Sequence, residues 1–503
     1  MTGAAAAIAP ESDGPGPMAT ADDASTGTDF DTWERQLVNT GLGVCAHPIR
    51  LHGRIDATDR ATGETRPVYK TWADVAVPDP DGRPDIEETV RVGDPLHVAC
   101  GNRRESACPA CSALYKRDAR QLVRAGLSGG KGIPESIATH PCVFATLTAP
   151  SFGPVHARRM RGKTVLPCRP RRDQKERRCP HGRDISCLAR HADQDLRLGR
   201  PMCPDCYDYD AAVLFNLHAG TLWKRFTTYL PRHLARLAGV TQKQLRAELR
   251  IRYVKVAEYQ ARGVVHFHAV IRLDAPGDGY APPPGRYDAQ LLCDAIALAA
   301  AAVRIDAPAG RGLRIRLGFG TQTDRRPVNR QPFAASGQPL HGQAVANYIA
   351  KYATKSADVP GLPDTRIRHA SEITALRCPA HHKRMVTAAW TLGARDATGD
   401  PRLRRWAHML GYGGHFLTKS RRYSVTFGQL RRARAEHRRV ERHPDGERDP
   451  WGRPIEETVV LVLSTWTYAG TGYTTPDGGL ALASAARARE HRWVGPEESA
   501  AAS

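Results

Sequence analysis

Residues 250–274, RIRYVKVAEYQARGVVHFHAVIRLD, constrain the fold more than any other stretch of the chain. Two runs rich in Val, Ile and Tyr are separated by a few residues ending in glycine, which is the pattern of an antiparallel hairpin. A three-residue loop of Ala261, Arg262 and Gly263, with Gly263 at the positive φ such loops need, pairs Gln260 with Val264 and sets Glu258 opposite His266. Side chains alternate along a strand, so His266 and His268 share one face while Val265, Phe267 and Ala269 take the other. Glu258, His266 and His268 are therefore expected on one face; a two-residue turn would send Glu258 to the opposite side.

Two imidazoles and a carboxylate leave coordination positions open and suit a divalent ion such as Mn²⁺ or Mg²⁺ in a hydrolytic or transfer reaction. Zn²⁺ and Fe²⁺ also accept this set, and oxygenases use a similar triad, so the ligands alone do not choose the chemistry. NYIAKYATK, at 347–355, supplies a second element. On a helix, Tyr348 and Tyr352 stand four apart on one face, with Lys351 and Lys355 beside them. A tyrosine can attack phosphorus and conserve the energy of the broken bond in a phosphotyrosine link, and a nearby ammonium stabilises the anionic transition state. The charge balance agrees with a phosphodiester substrate: 73 Lys and Arg stand against 52 Asp and Glu, a net +21, which suits a polyanionic partner.

The strand VFATLTA, the hairpin EYQARGVVHFH and the helix YIAKYATK, in that chain order, resemble the three motifs of rolling-circle replication initiators of the HUH endonuclease superfamily, including its two-tyrosine class. KVAEYQARGVVHFHAVIRLD together with CPDCYDYDAAV and GGHFLTKSRRYSVTFG is similar to the replication initiators of actinobacterial plasmids and integrative conjugative elements (RepSA-like), over roughly residues 95–435. The resemblance implies an α+β fold, an HUH endonuclease domain with a central antiparallel sheet and flanking helices. It implies a metal-dependent nick of one strand at a replication origin, a 5′-phosphotyrosine link and a freed 3′ hydroxyl that primes synthesis. Carried over by position, His266 and His268 are metal ligands with Glu258 as the third, Tyr348 and Tyr352 are nucleophiles, and Lys351 lies between them. Lys355, Arg421 and Arg422 are candidate DNA contacts. A relaxase or transposase of the same superfamily, and a non-catalytic zinc-dependent DNA-binding regulator, are the competing readings. The resemblance implies origin DNA and the host replisome as partners, and because the sequence has no GxxxxGK[ST] loop a host helicase is expected as well.

Twelve cysteines accompany these motifs. The start lacks the positive n-region of a signal peptide, and no stretch of eighteen continuous apolar residues occurs, so the expected setting is the cytoplasm, with no membrane contact. There thiols serve as metal ligands more often than as disulfides. CPAC at 108–111 and CPDC at 203–206 have zinc-knuckle spacing. Cys100, Cys108, Cys111, Cys179, Cys187, Cys203 and Cys206 are the candidate structural Zn²⁺ ligands; Cys168 lies among them, and Cys45, His97, His181 and His191 are open as completing ligands. The expected organisation is a leader over 1–35, a cysteine-containing segment over 36–130, the HUH domain over 140–360 with a cysteine-rich insertion at about 164–206, a basic region over 361–445 and a short extension over 446–503. SGGKGIP reads as a linker, LLCDAIALAAAAVRI as a helix, SRRYSVTFG as a strand, LRRARAEHRRVERH as a basic helical run, and LARLAGVTQKQLRAEL as a helix pair leading into the hairpin.

Overall fold

The computed structural model of the chain describes residues 45–473 apart from 72, 79–86, 93–94, 171–177, 278, 311, 330–339, 356–360, 364, 395–399, 443, 445, 447 and 455–459. The expected leader and the end of the tail lie outside the described residues. Strands β1 (Ile49–Asp59), β2 (Thr65–Lys70), β3 (Ala73–Pro78), β4 (Glu87–Val92) and β5 (Leu96–Val98) precede helix α1 (Pro109–Ser128). Strand β6 (Cys142–Leu147) follows, and the short hairpin of β7 (Arg159–Arg161) and β8 (Thr164–Leu166) opens the cysteine-rich stretch. Helices α2 (Tyr209–Leu237) and α3 (Gln242–Glu248) lead into β9 (Arg250–Tyr259) and β10 (Val265–Asp274). Next come α4 (Ala289–Ala302), β11 (Arg304–Gly310), β12 (Leu313–Gly318), β13 (Thr323–Asn329), β14 (Leu340–His341) and α5 (Gly342–Lys355). The chain continues through α6 (Ala370–Ala375), α7 (Ala380–Leu392), α8 (Arg402–Arg405), β15 (Leu417–Lys419), α9 (Phe427–Arg442) and β16 (Val460–Thr471).

Six strands form the central sheet in the order β14-β13-β6-β10-β9-β15, antiparallel except where β14 joins β13. Alternation gives the sheet two apolar faces, and helices cover both. One face carries Val143, Ala145, Leu147, Val265, Phe267, Ala269 and Ile271 against Leu214, Leu222 and Phe226 of α2 and Ile296 of α4. The other carries Phe144, Val254, Val256 and Val270 against Leu122 and Val123 of α1 and Val345 and Ile349 of α5. The β9–β10 loop has the expected form: Gly263 takes φ 72°, Gln260 N–H donates to Val264 O at 3.0 Å, and Glu258 faces His266 across the ladder.

Several local expectations are revised. The glycine run SGGKGIP is a tight turn with Gly130 and Ile133 bonded to each other and Ile133 buried, and α1 ahead of it packs on the central sheet. SRRYSVTFG is not a strand. The strand is the preceding Leu417–Lys419, because Tyr423 plunges beneath α1 and Thr426 then caps α9, accepting from Gln429 N–H at 3.1 Å. LLCDAIALAAAAVRI is helical only to Ala302, since Arg304 and Ile305 pair with Gly318 and Leu317 in β11–β12. LARLAGVTQKQLRAEL keeps its expected form, the end of α2 and the short α3 ahead of the hairpin. The extension beyond 446 returns to the start of the described chain: β16 pairs β1 along its whole length, from Ile49 with Thr471 to Asp59 with Val460. Among the described residues no helix is long and apolar enough to cross a membrane.

Candidate metal centre and nucleophile

The register of β9 against β10 brings Glu258, His266 and His268 together, each offering one ligand atom within 4.8 Å of the others. Glu258 Oε2 lies 2.9 Å from His266 Nε2 and 3.0 Å from His268 Nε2. All three are mostly buried, with side-chain exposures of 17% for Glu258, 14% for His266 and 5% for His268. Burial alone would raise the Glu258 carboxyl, but the two imidazoles outweigh it and hold the group below the usual carboxylate range. Burial lowers His268. An ionised carboxylate beside a neutral imidazole is the protonation state that a metal-binding group requires.

The neighbouring strand orients His268. Thr146 of β6 lies opposite it, and its Oγ1 is 2.9 Å from His268 Nδ1, leaving Nε2 for the Glu258 side. Such a partner on the second ring nitrogen fixes tautomer and ring orientation in metal-ligating histidines. Phe144 stacks on the His268 ring at 5.7 Å between centroids. Asp324 of β13 pairs with Thr146 and adds a carboxylate whose charge favours protonated His268. The sequence reading assigned Thr146 only to a fold strand and missed Asp324; the period of two along β6, together with strand pairing, is the signal that identifies Thr146.

From α5, Val345, Ala346, Ile349 and Ala350 pack into the core under the sheet. Their spacing turns Tyr348 toward the face of β6 and β10, where its hydroxyl stands 3.2 Å from His268 Nε2 and its ring meets those of His268 and Phe144 edge to face. Tyr348 is 37% exposed as a whole, while its hydroxyl faces the partly buried His268 side. Lys351 is exposed one turn further on. Tyr352 and Lys355 belong to the α5 backbone, but their side chains lie outside the described residues. Arg421 and Arg422 are not brought to this group. They follow β15 near Val254, and Arg422 donates to Gly277 O at 3.2 Å, beyond the Asp274 end of β10. Arg252, opposite Arg272, is six positions along β9 from Glu258, roughly 20 Å of strand.

The hairpin turn is held from several sides. Arg262 donates to Pro150 O at 2.7 Å and Ala149 O at 3.0 Å, and Asn216 Nδ2 donates to Gly263 O at 2.9 Å. His381 Nε2 lies 3.0 Å from Arg262 O. None of these partners carries a periodic sequence signal.

The cysteines gather into three further groups with metal-ligand geometry. Cys100, Cys108 and Cys111 are completed by Cys45. Within this group the Cys111 hydrogen bond pulls Cys45 down to about 5, while burial pushes Cys100 up to about 11. Cys179, Cys203 and Cys206 are completed by His181. Cys187 does not join them; it stands with His156, Cys168 and His191. His97 completes none of these groups and stacks on Tyr473. These groups could hold a structural metal such as zinc.

Comparison with known proteins follows the same lines. The model of a protein family described as "RepSA: Replication initiator protein, pSAM2" matches residues 29–488. A curated replication initiator protein from Streptomyces ambofaciens is 43% identical over 458 residues, covering 90% of this chain and 89% of that protein. No solved structure matches the chain significantly.

Proposed function

The chain belongs to the RepSA family of replication initiators, and from that premise we propose that it nicks one strand of its replication origin by HUH-type chemistry and starts rolling-circle replication. The observation that carries this reading is the Tyr348 hydroxyl, 3.2 Å from a nitrogen of the Glu258, His266 and His268 group. Those three residues would hold Mn²⁺ or Mg²⁺, which when bound supplies Lewis-acid polarisation of the scissile phosphate. The remaining work falls to the chain itself. Thr146 and Phe144 keep His268 oriented. The Tyr348 phenol oxygen attacks phosphorus, the bond from phosphorus to the 3′ oxygen breaks, and the 5′ phosphate stays on the tyrosine. The phenol releases a proton and the departing 3′ oxygen takes one up, so the transfer is proton-neutral. Lys351 supplies positive charge to the transition state, and Tyr352, one turn along α5, is the second nucleophile that rejoins the strand after synthesis. Structural zinc holds the cysteine groups. A host helicase and replisome extend the freed 3′ end in the cytoplasm.

The test is a covalent-adduct gel with full-length protein, Mn²⁺ and single-stranded oligonucleotides tiled across the replicon that encodes it, alongside Tyr348→Phe, Tyr352→Phe and the double variant. An adduct that survives each single change and vanishes in the double establishes transfer to either phenol. Folded, metal-loaded protein that binds DNA but forms no adduct on any tile would replace this reading with that of a DNA-binding regulator.

A further inference from the structure

Between Gly153 and Cys206 the buried positions among the described residues are Cys168, His191, Gly199, Pro201 and Cys203. Among its described residues the segment has no apolar core of its own, and such a segment needs another source of stability. Three of its five buried residues belong to the two metal-type groups, His156, Cys168, Cys187 and His191 in one and Cys179, His181, Cys203 and Cys206 in the other. In each group the ligand atoms lie within 4.8 Å of one another, which a tetrahedral ion with bonds of about 2.0–2.3 Å accommodates.

The groups alternate along the chain. His156 and Cys168 belong to the first, Cys179 and His181 to the second, Cys187 and His191 to the first again, Cys203 and Cys206 to the second again. Backbone pairing follows the same braid: Cys187 and Arg169 exchange hydrogen bonds of 2.9 and 2.8 Å, and Cys179 N–H donates to Arg183 O at 2.9 Å. The first group has the surroundings of a metal site. His191 Nδ1 is 2.7 Å from Asp195 Oδ2, Ala157 N–H donates to Cys168 Sγ at 3.2 Å, and His156 Nδ1 is buried without a hydrogen-bond partner. In the second, His181 Nδ1 is 3.2 Å from Cys206 Sγ.

We propose that the described residues between 154 and 206 are held by two zinc ions in a cross-brace, His156, Cys168, Cys187 and His191 binding one and Cys179, His181, Cys203 and Cys206 the other. The brace has a use. His156 exchanges backbone hydrogen bonds of 2.9 Å with Gly199 and Arg200, and Gly199, at φ 78°, lies so close to the hairpin turn that a Cβ there would stand 2.2 Å from the Ala261 carbonyl carbon. The metal-held loop thus forms one wall of a cleft of about 690 Å³, lined by Thr148, Arg158, Arg169, Arg262 and Gln322, beside the hairpin that carries Glu258 and His266.

The experiment counts metal in the full-length protein by mass spectrometry and by zinc release, together with free thiols. About three zinc equivalents per chain are expected, the third from Cys45, Cys100, Cys108 and Cys111. Cys45→Ser is expected to remove about one equivalent, whereas His191→Ala and Cys203→Ser are each expected to remove about two, because interleaved loops lose both ions together. His191→Cys and Cys203→His, which retain a zinc-binding donor, are expected to keep all three and control for a variant that fails to fold. Loss of a single equivalent from each of His191→Ala and Cys203→Ser, or zinc-free protein with reactive thiols, overturns the cross-brace. Neither readout depends on nicking, so the outcome separates from that of the adduct gel.

Discussion

At the scale of single residues, Thr146 and Lys255 make opposite demands on the same sheet. Thr146 reaches His268 Nδ1 at 2.9 Å, so Thr146→Val is expected to weaken Mn²⁺ binding by about 10- to 100-fold while leaving the thermal midpoint nearly unchanged, as read by metal titration of the folded protein. Lys255 points into the other face, 4% exposed, with its ammonium 4.3 Å from the centre of the Phe267 ring, and burial lowers it to about 7. In the unfolded chain a lysine titrates near about 10.4. Between these values the unfolded chain binds a proton that the folded one does not, so this group makes stability rise with pH from about 7 to about 10.4; below 7 its penalty is full and constant. Lys255→Met is expected to stabilise the protein at neutral pH by roughly 1–3 kcal/mol and to flatten that rise, measured by denaturant titrations at several pH values.

At the scale of elements, the buried Arg272, held by an ion pair within β10, adds a polar tie between the sheet and α1. Arg272 of β10 is fully buried, donates to both oxygens of Asp274 at 2.7 and 2.8 Å, and also reaches the carbonyls of Gly126 and Tyr423. His140 stands 2.9 Å from the same carboxylate. Arg272→Met strands a buried charge and frees two carbonyls, and is expected to cost about 3–5 kcal/mol; adding Asp274→Asn should restore part of that loss in a thermal melt. The cost would exceed that of a surface pair such as Arg326 with Asp324, which is half exposed on both sides. None of this network shows in hydrophobic periodicity, because Arg272 occupies a position on β10 that the alternating pattern reserves for an inward residue.

At the scale of the whole molecule, the two ends of the described chain close one sheet. β16 covers β1 across eleven paired positions, and β2 and β5 complete the sheet. A chain ended before Val460 leaves the long edge of β1 open, a template for pairing with other chains. Hydrogen exchange is expected to show the alternate β1 amides that face β16 losing protection in that truncation, while those that face β2, and Phe267 to Ile271 in the central sheet, keep theirs. Equal loss in both sheets would mean that the terminal sheet supports the central one.

What the amino-acid sequence determined by itself was local. The hairpin of β9 and β10, its glycine turn and the common face of Glu258, His266 and His268 follow from a strand period of two and a loop of three residues. The placement of Tyr348 on a helix follows from a period of 3.6. Only the tertiary structure decided which distant pieces meet: Thr146 with His268, α1 with the sheet, β16 with β1, and His156 with Cys187 while Cys187 leaves Cys179. The physical reason is that periodicity reports which face of an element is buried but not against what. Partners far apart in the chain are selected by how apolar faces, buried charges and thiolates can all be satisfied at once, and that condition exists only in three dimensions.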